Sequence, residues 1–367
     1  MSTKPRRPFM RDPLPAPDGL AARRRRAASV MLAALAVLLT ASMLAAVCIG
    51  AYRVTPIEVL TALAADPANT QNEALQQIRS VILNIRLPRV LLAVLVGIGF
   101  GAAGSALQAL FRNPLADPGL IGVSSGAALG ASTLIVLGPL LFAAPAALGW
   151  LPVAAFAGAL AVAALVYRLA TSRGRLALPL LLLAGIAINA LTGAAIGLLT
   201  YVADDAQLRS LTFWSLGSLG GAQWGMLGAV LPLGLLGTAW LYRQRNALNA
   251  LQLGETEALH LGVPVYAVKH SVLVASAMCV GALVSCTGAI GFIGLVAPHC
   301  VRLACGPDQR VVMPGAMLLG ASLTVLADLA ARTLAAPAEV PLGILTALLG
   351  APFFLALLWK SRSRLGL

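Results

Sequence analysis

Charge is what this chain has least of. Only 11% of its 367 residues are Asp, Glu, Lys or Arg, and lysine occurs just at Lys4, Lys269 and Lys360. Soluble domains carry roughly 25% charged residues, so a single water-exposed globule of this size is excluded. The lysine shortage excludes more. None of the three lies in G-x-x-x-x-G-K-[ST], the loop that wraps phosphates in backbone amides, so nucleotide hydrolysis by that common route is absent. His260, His270 and His299 are scattered without an H-E-x-x-H pattern. Cys48, Cys279, Cys286, Cys300 and Cys305 form no C-x-x-C pair and read as small apolar packing residues. No catalytic residue, metal site or cofactor is expected. Nor is there a ladder of intramembrane carboxylates suited to a proton-driven pump.

What is present is hydrophobicity, at 59% of the residues. Apolar runs of about 17–25 residues can each cross a bilayer as a helix, and ten are legible, so the fold class is all-α and polytopic. They are Ala28–Gly50, Val90–Leu110, Ile121–Phe142, Val153–Ala170, Leu178–Thr200, Met226–Tyr242, Ala267–Cys286, a short Ile290–Ala304, Val311–Ala331 and Leu342–Trp359. The net charge of +13 reports topology and not nucleic acid. With the N-terminus inside, 20 Lys and Arg residues fall on the cytoplasmic side and six on the other: Arg53, Arg79, Arg86, Arg89, Arg209 and Arg332. An even number of spans with both termini inside fits that bias.

Residues 1–26 are basic and proline-rich and read as a disordered cytoplasmic tail beside anionic lipid. The apolar segment that follows exceeds a signal peptide's core of about 7–15 residues, so it reads as a retained anchor. The ten-helix domain then occupies 27–360, with 361–367 as a second cytoplasmic tail. Tyr52–Ile85 is the longest polar connection, placed outside and partly helical over Ile57–Leu63 and Ala74–Leu83. Tyr201–Trp224 is a second external segment, with interfacial aromatics Phe213, Trp214 and Trp224.

Within RLPRVLLAVLVGIGFGAAGSALQALF, Gly97, Gly101 and Ser105 recur every fourth residue. That spacing makes a close-packing seam, opposite Leu91, Val94, Leu95 and Phe100. In the loop at about 246–264, Gly254 is an N-cap, Glu255 and Glu257 suit a helix start, and Gly262 stops the helix before Pro264. The product is a short helix outside the bilayer. Asp328 would cost about 2.5–3.5 kcal/mol unpaired in lipid, so Arg332 one turn away is its expected partner.

These residues together resemble the permease subunits of ABC importers for iron-siderophore, heme and vitamin B12. The resemblance runs from Arg86 to Trp359. It rests on RLPR (Arg86–Arg89), Q-x-L-x-x-NPLADPG-x-x-G-x-SSGAALG (Gln108–Gly130), LLLAGIAIN (Leu181–Asn189) and FWSLGSL (Phe213–Leu219). LNALQLGETEALHLGVPV (Leu248–Val265), TGAIGFIGLVAPH (Thr287–His299) with Arg302, and ADLAART with P-x-EVPLGILTALLGAPFF (Ala327–Phe354) complete it.

The resemblance implies a type II importer permease with ten helices per subunit, in the bacterial inner membrane. Its implied partners are a second copy of itself, two cytoplasmic ATP-binding subunits, a periplasmic substrate-binding protein and membrane lipid. It implies docking of the binding protein on Arg86, Arg89 and Arg332, and a cytoplasmic gate at Asn113, Pro114 and Leu115. The gate's second half aligns with Leu178 and Pro179, which depart from the small polar pair of some members. It implies coupling to the ATPase through Gly254, Glu255, Glu257, Ala258, Leu259 and Gly262. The wording FRNPLADPGLIGVSSGAALG is most similar to heme permeases, so heme is the expected cargo, with ferric siderophore and cobalamin as alternatives. His299 belongs to the inner-end APH turn in this reading and is no heme ligand. From another class, an ion-driven secondary transporter would need intramembrane charge relays, and Asp328 alone is a poor one.

Overall fold

The computed structural model describes residues 17–50, 54–64, 72–141, 149–172 and 175–362. Its helices are α1 (Pro17–Cys48), α2 (Pro56–Ala64), α3 (Glu73–Ser80), α4 (Leu87–Phe111), α5 (Val123–Leu141), α6 (Leu151–Ala170), α7 (Leu178–Val202), α8 (Asp205–Leu216), α9 (Trp224–Arg243), α10 (Arg245–Leu253), α11 (Glu255–His260), α12 (Val265–Thr287), α13 (Ile293–Cys305), α14 (Gln309–Ala331) and α15 (Leu342–Arg362). A two-residue hairpin, β1 (Thr171–Ser172) with β2 (Arg175–Leu176), joins α6 to α7. Among the described residues, eight helices are long and apolar enough to cross a bilayer. Two shorter apolar ones, Ile293–Cys305 and Leu342–Ala356, bring the set to ten. The protein is a multi-pass membrane protein. The side of the membrane on which α1 begins is called proximal below, and the other distal.

Two boundaries differ from the sequence reading. The stretch 17–26, read as part of a disordered tail, is the first part of α1; residues 1–16 lie outside the described residues. Ala, Leu and Arg are strong helix formers, and Pro17 stands at the helix start where its missing N–H costs nothing. The second span is also longer than expected, because one helical rod runs from Glu73 to Phe111. Within it, Val81–Arg86 has π geometry, and the Leu87 amide donates to the Ile82 carbonyl. Pro88 explains the widening: its ring presses on the carbonyl four residues back, at Asn84, and it has no N–H to offer.

α4 is the axis of the bundle, with α14, α9, α13 and α12 packed around it. Nearly every residue from Pro88 to Leu110 is buried, which is why this helix is apolar on all sides. The glycine seam faces α14. A Cβ at Gly97 would stand 2.3 Å from the Gly320 carbonyl oxygen, and one at Gly101 would stand 2.3 Å from that of Ala316. At Gly104 it would meet the Gly294 oxygen of α13 at 1.7 Å. Ser105 ends the seam by donating from Oγ to Gln309 Oε1 at 2.6 Å. The opposite side, with Leu95 and Phe100, is buried against other helices and does not meet lipid.

Because these contacts are backbone to backbone, no side-chain rotation can relieve an added methyl group. Gly101→Val is expected to destabilise the purified protein by about 3 kcal/mol or more, at the upper end of overpacking costs. Gly228→Ala, which faces open space, should leave it unchanged. Thermal unfolding in detergent compares the two, and equal midpoints would contradict the seam.

Candidate functional site

The distal face holds a compact charge cluster. The Glu73–Phe111 rod supplies Arg86 and Arg89, α14 and its C-cap supply Asp328 and Arg332, and the link to α15 supplies Glu339. Arg89 Nε donates to both Asp328 oxygens at 3.0 and 3.1 Å, with Nη2 at 2.9 Å from Oδ1. Its Nη1 and Nη2 donate to Glu339 Oε1 and Oε2 at 2.8 and 2.9 Å. Such forked pairing suits a planar guanidinium. Arg332 Nε is farther from Asp328, at 3.7 Å. The expected Asp328–Arg332 pair is therefore secondary to one formed across helices.

Arg332 and Arg86 have another task. Arg332 Nη2 donates to the Ala46 carbonyl, and Arg86 Nη1 donates to those of Val47 and Cys48. These are the last carbonyls of α1, which no intrahelical amide satisfies and where the helix dipole is negative. Two cations capping that end anchor α1 to the bundle. Nothing in the arginine spacing announced this, since the capped carbonyls lie about 40 residues upstream of RLPR. Arg86 and Arg89 are 4% and 7% exposed, so the residues expected to face a docking partner are turned inward. Only Glu339, with a side chain 44% exposed, presents charge to the distal surface from this group. The hydrogen bonds from Arg89 hold its carboxyl below the usual range.

At the proximal end of α4 the chain turns sharply. Arg112 takes a left-handed conformation, φ 49°, and the Asn113 and Arg112 amides donate back to the Gln108 and Ala109 carbonyls. This is a Schellman-type stop that normally favours glycine. Asn113 Oδ1 accepts the Leu115 amide at 2.9 Å, and Asp117 Oδ1 accepts that of Gly119 at 2.7 Å, opening a 3-10 turn over Pro118–Ile121. Pro114 and Leu115 are exposed. α7 holds this turn directly. A Cβ at Gly185 would stand 2.0 Å from the Leu120 carbonyl oxygen. Asn189 Nδ2 donates to the Gly119 carbonyl at 3.2 Å while its Oδ1 accepts from Ser125 Oγ at 2.5 Å. Asn189 had no role assigned from sequence, although a lone amide in an apolar run was a legible signal. Leu178 and Pro179, the other aligned gate positions, begin α7, half-buried and exposed respectively.

The proximal loop 246–264 is two helices and not one. α10 buries Leu248 and Leu251 and turns an amide face to the link between α13 and α14. Asn249 Nδ2 donates to Asp308 Oδ1 at 2.6 Å, Gln252 Nε2 to the Pro307 carbonyl at 3.3 Å, and Arg310 Nε to Asn246 Oδ1 at 3.0 Å. Asn246, Asn249 and Gln252 stand three apart, a helix-face signal that the reading of the glutamates overlooked. Gly254 separates the helices at φ 141°, ψ 155°, a conformation open in practice to glycine alone. Glu255 pairs with the buried Lys269 at 2.6 Å. Ala258 is fully buried while Leu259 and Leu261 are 50% and 65% exposed, so α11 is pinned on one side and offers leucines on the other. Gly262, φ 78°, closes it. On the same side, His299 is helical within α13 and not in a turn. It lies beside Phe353 and Phe354 at ring distances of 6.2 and 6.1 Å.

A ten-helix membrane bundle with a charged distal face and two short helices on the proximal face has the architecture of a membrane permease. Comparison with known proteins agrees: the FecCD transport family model matches residues 37–360, and the chain belongs to that family. It is 52% identical over 287 residues to the hemin transport system permease protein HmuU of Yersinia pestis, covering 77% of this chain and 84% of the relative. It is 44% identical over 278 residues to the cobalamin import system permease protein BtuC of Halobacterium salinarum, covering 76% and 73%. A solved metal-chelate type ABC transporter in an inward-facing conformation superposes with a TM-score of 0.78 at 33% identity, covering 90% of this chain and 99% of the other.

Removing one partner of a buried ion pair strands the other. Arg89→Gln is therefore expected to cost about 3–5 kcal/mol, while Glu339→Gln, at the surface, should cost about 1 kcal/mol or less. Unfolding of both variants checks the order. Because the folded Glu339 carboxyl is depressed, its contribution is complete above the ordinary glutamate range and disappears as pH falls through the depressed value. Wild type should lose that small increment on acidification and Glu339→Gln should not.

Proposed function

We propose that this chain is the membrane-spanning subunit of an ABC importer that carries an iron complex, heme in the first place, from periplasm to cytoplasm across the bacterial inner membrane. The proximal side is then cytoplasmic, in keeping with the Lys and Arg bias. The observation that carries the cargo assignment is the higher identity to a hemin permease than to a cobalamin permease over a similar length. The mostly apolar side chains of the spans suit a flat macrocycle.

Two copies would enclose the pathway. α7 supports this: a Cβ added at Gly193 or Gly197, one turn apart, would meet nothing within 4 Å, and Leu183, Ile186, Leu191 and Leu198 are over 60% exposed. Small residues at this spacing permit close helix approach in lipid. Asn113–Leu115 would form the cytoplasmic gate. Its ties to Asn189 and Gly185 mean that a shift of α7 moves the turn with it, a rigid-body relay.

α11 would seat in the ATPase subunit through Leu259 and Leu261, with α10 transmitting its displacement to α14 through Asp308 and Gln309. At the distal face, a binding protein's carboxylates would reach Arg89 by taking the place of Glu339. A surface pair contributes about 0.2–1 kcal/mol, so the exchange acts mainly on docking rate and orientation.

Reconstitution with an ATPase and a binding protein tests the reading. Heme-loaded binding protein should stimulate ATP hydrolysis and uptake, and stimulation by cobalamin or a ferric siderophore alone would reassign the cargo. Leu259→Pro should insert normally yet abolish stimulated hydrolysis, and unchanged uptake in proteoliposomes would remove α11 from the coupling role. Glu339→Gln should speed docking about two- to fivefold at low salt, the scale of one surface pair. A slower association would count against the exchange.

A further inference from the structure

Away from the gate, the coupling helices and the distal cluster, the described residues contain a groove of about 360 Å³ between α6, α12 and the start of α7. Its walls are apolar, among them Leu160, Ala164, Leu181, Leu273 and Met278. The polar residues lie at one end. α6 runs toward the proximal side and α12 away from it, so Tyr167 and Arg168, in the last turn of α6, and His270, in the first turns of α12, share the proximal end. Leu160 and Met278 mark the end nearer mid-membrane. From His270 to Met278 the groove follows α12 for about 12 Å at 1.5 Å per residue.

The mouth is organised. Tyr167 Oη and His270 Nδ1 are 2.9 Å apart in a hydrogen bond, with the rings tilted at a centroid distance of 5.2 Å. Arg168 is exposed, and its guanidinium has no hydrogen bond or ion pair among the described residues. α6 offers Tyr167 and Arg168, α12 offers His270, and neither α7 nor Ile121 adds a charge to the lining. Among the described residues no carboxylate lines the groove, so its mouth is positive.

We propose that this groove binds an anionic phospholipid of the proximal leaflet, with an acyl chain between α6 and α12, the phosphate at Arg168 and polar headgroup atoms beside the Tyr167–His270 pair. Two features on the molecule select that occupant. Apolar and cationic ends are ordered along the membrane normal as they are in a lipid, and an unpaired arginine at the membrane boundary complements a phosphate. A soluble anion would leave the apolar length uncovered, and a neutral acyl compound would leave Arg168 unused. The site is independent of which cargo the permease carries.

The test uses the full-length purified protein and native mass spectrometry, titrating phosphatidylglycerol or phosphatidylcholine of matched chains, with glycerol phosphate as the chainless control. Wild type should retain phosphatidylglycerol in preference to phosphatidylcholine and ignore glycerol phosphate. Arg168→Gln should lose about fivefold in phosphatidylglycerol retention, the contribution of one basic residue near an anionic surface, with a smaller loss for phosphatidylcholine, whose choline cation already offsets its phosphate. Ala164→Phe, at an exposed wall position, should block both lipids by filling the groove. Equal retention of the two lipids by wild type, or no effect of either variant, would overturn the proposal. Unchanged thermal unfolding of both variants in lipid-free detergent separates lost binding from lost folding.

Discussion

A helix surrounded by lipid gains little from touching another helix unless the two backbones come close enough for dispersion contacts to accumulate. α4 meets that condition through Gly97, Gly101 and Gly104, which bring it against the main chain of α14 and α13. Candidate sites at both faces include the ends of this axis. The distal arginines belong to the rod whose lower half is α4, and the proximal turn of Asn113–Leu115 is its C-terminus. A helix held so closely along its length favours movement with its neighbours as a unit over bending by itself.

In the distal cluster, charge serves the bundle itself. Arg86 and Arg332 satisfy the end of α1, and Arg89 joins α4 to Asp328 and Glu339. The same three arginines that family likeness assigns to a partner are thus structural in the isolated subunit. The proposed docking role is compatible with this one, since Glu339 is the exposed member of the network and an external carboxylate would replace it while Asp328 stays paired. On the proximal face the amides of Asn246, Asn249 and Gln252 do comparable work, binding α10 to the α13–α14 link without introducing net charge near the membrane.

Most of the helical architecture was legible in the chain. Apolar runs of bilayer length marked the spans, since lipid admits few structures other than helices, and the every-fourth-residue pattern at Gly97, Gly101 and Ser105 marked a seam. The helix stop at Gly262 was legible for the same reason: it depends on local conformational preference. What local pattern misjudged was also physical. The basic stretch after Pro17 looked like a tail because charge suggests solvent, yet helix propensity there is high. The loop around Gly254 looked like one helix because its glutamates were prominent, whereas the burial of Leu248 and Leu251 makes a second.

Sequence pattern alone thus decided that this is a multi-pass helical membrane protein without a phosphate-binding loop, and motif resemblance added the permease family, because hydropathy, helix punctuation and motifs are properties of neighbouring residues. Tertiary structure alone decided which partners the charged and amide groups take. Arg89 meets Glu339 across 250 positions, Arg332 meets Ala46 across 286, and Asn189 meets Gly119 across 70. Such pairings depend on how the helices are arranged in the bundle, and no local rule of periodicity or capping carries that arrangement.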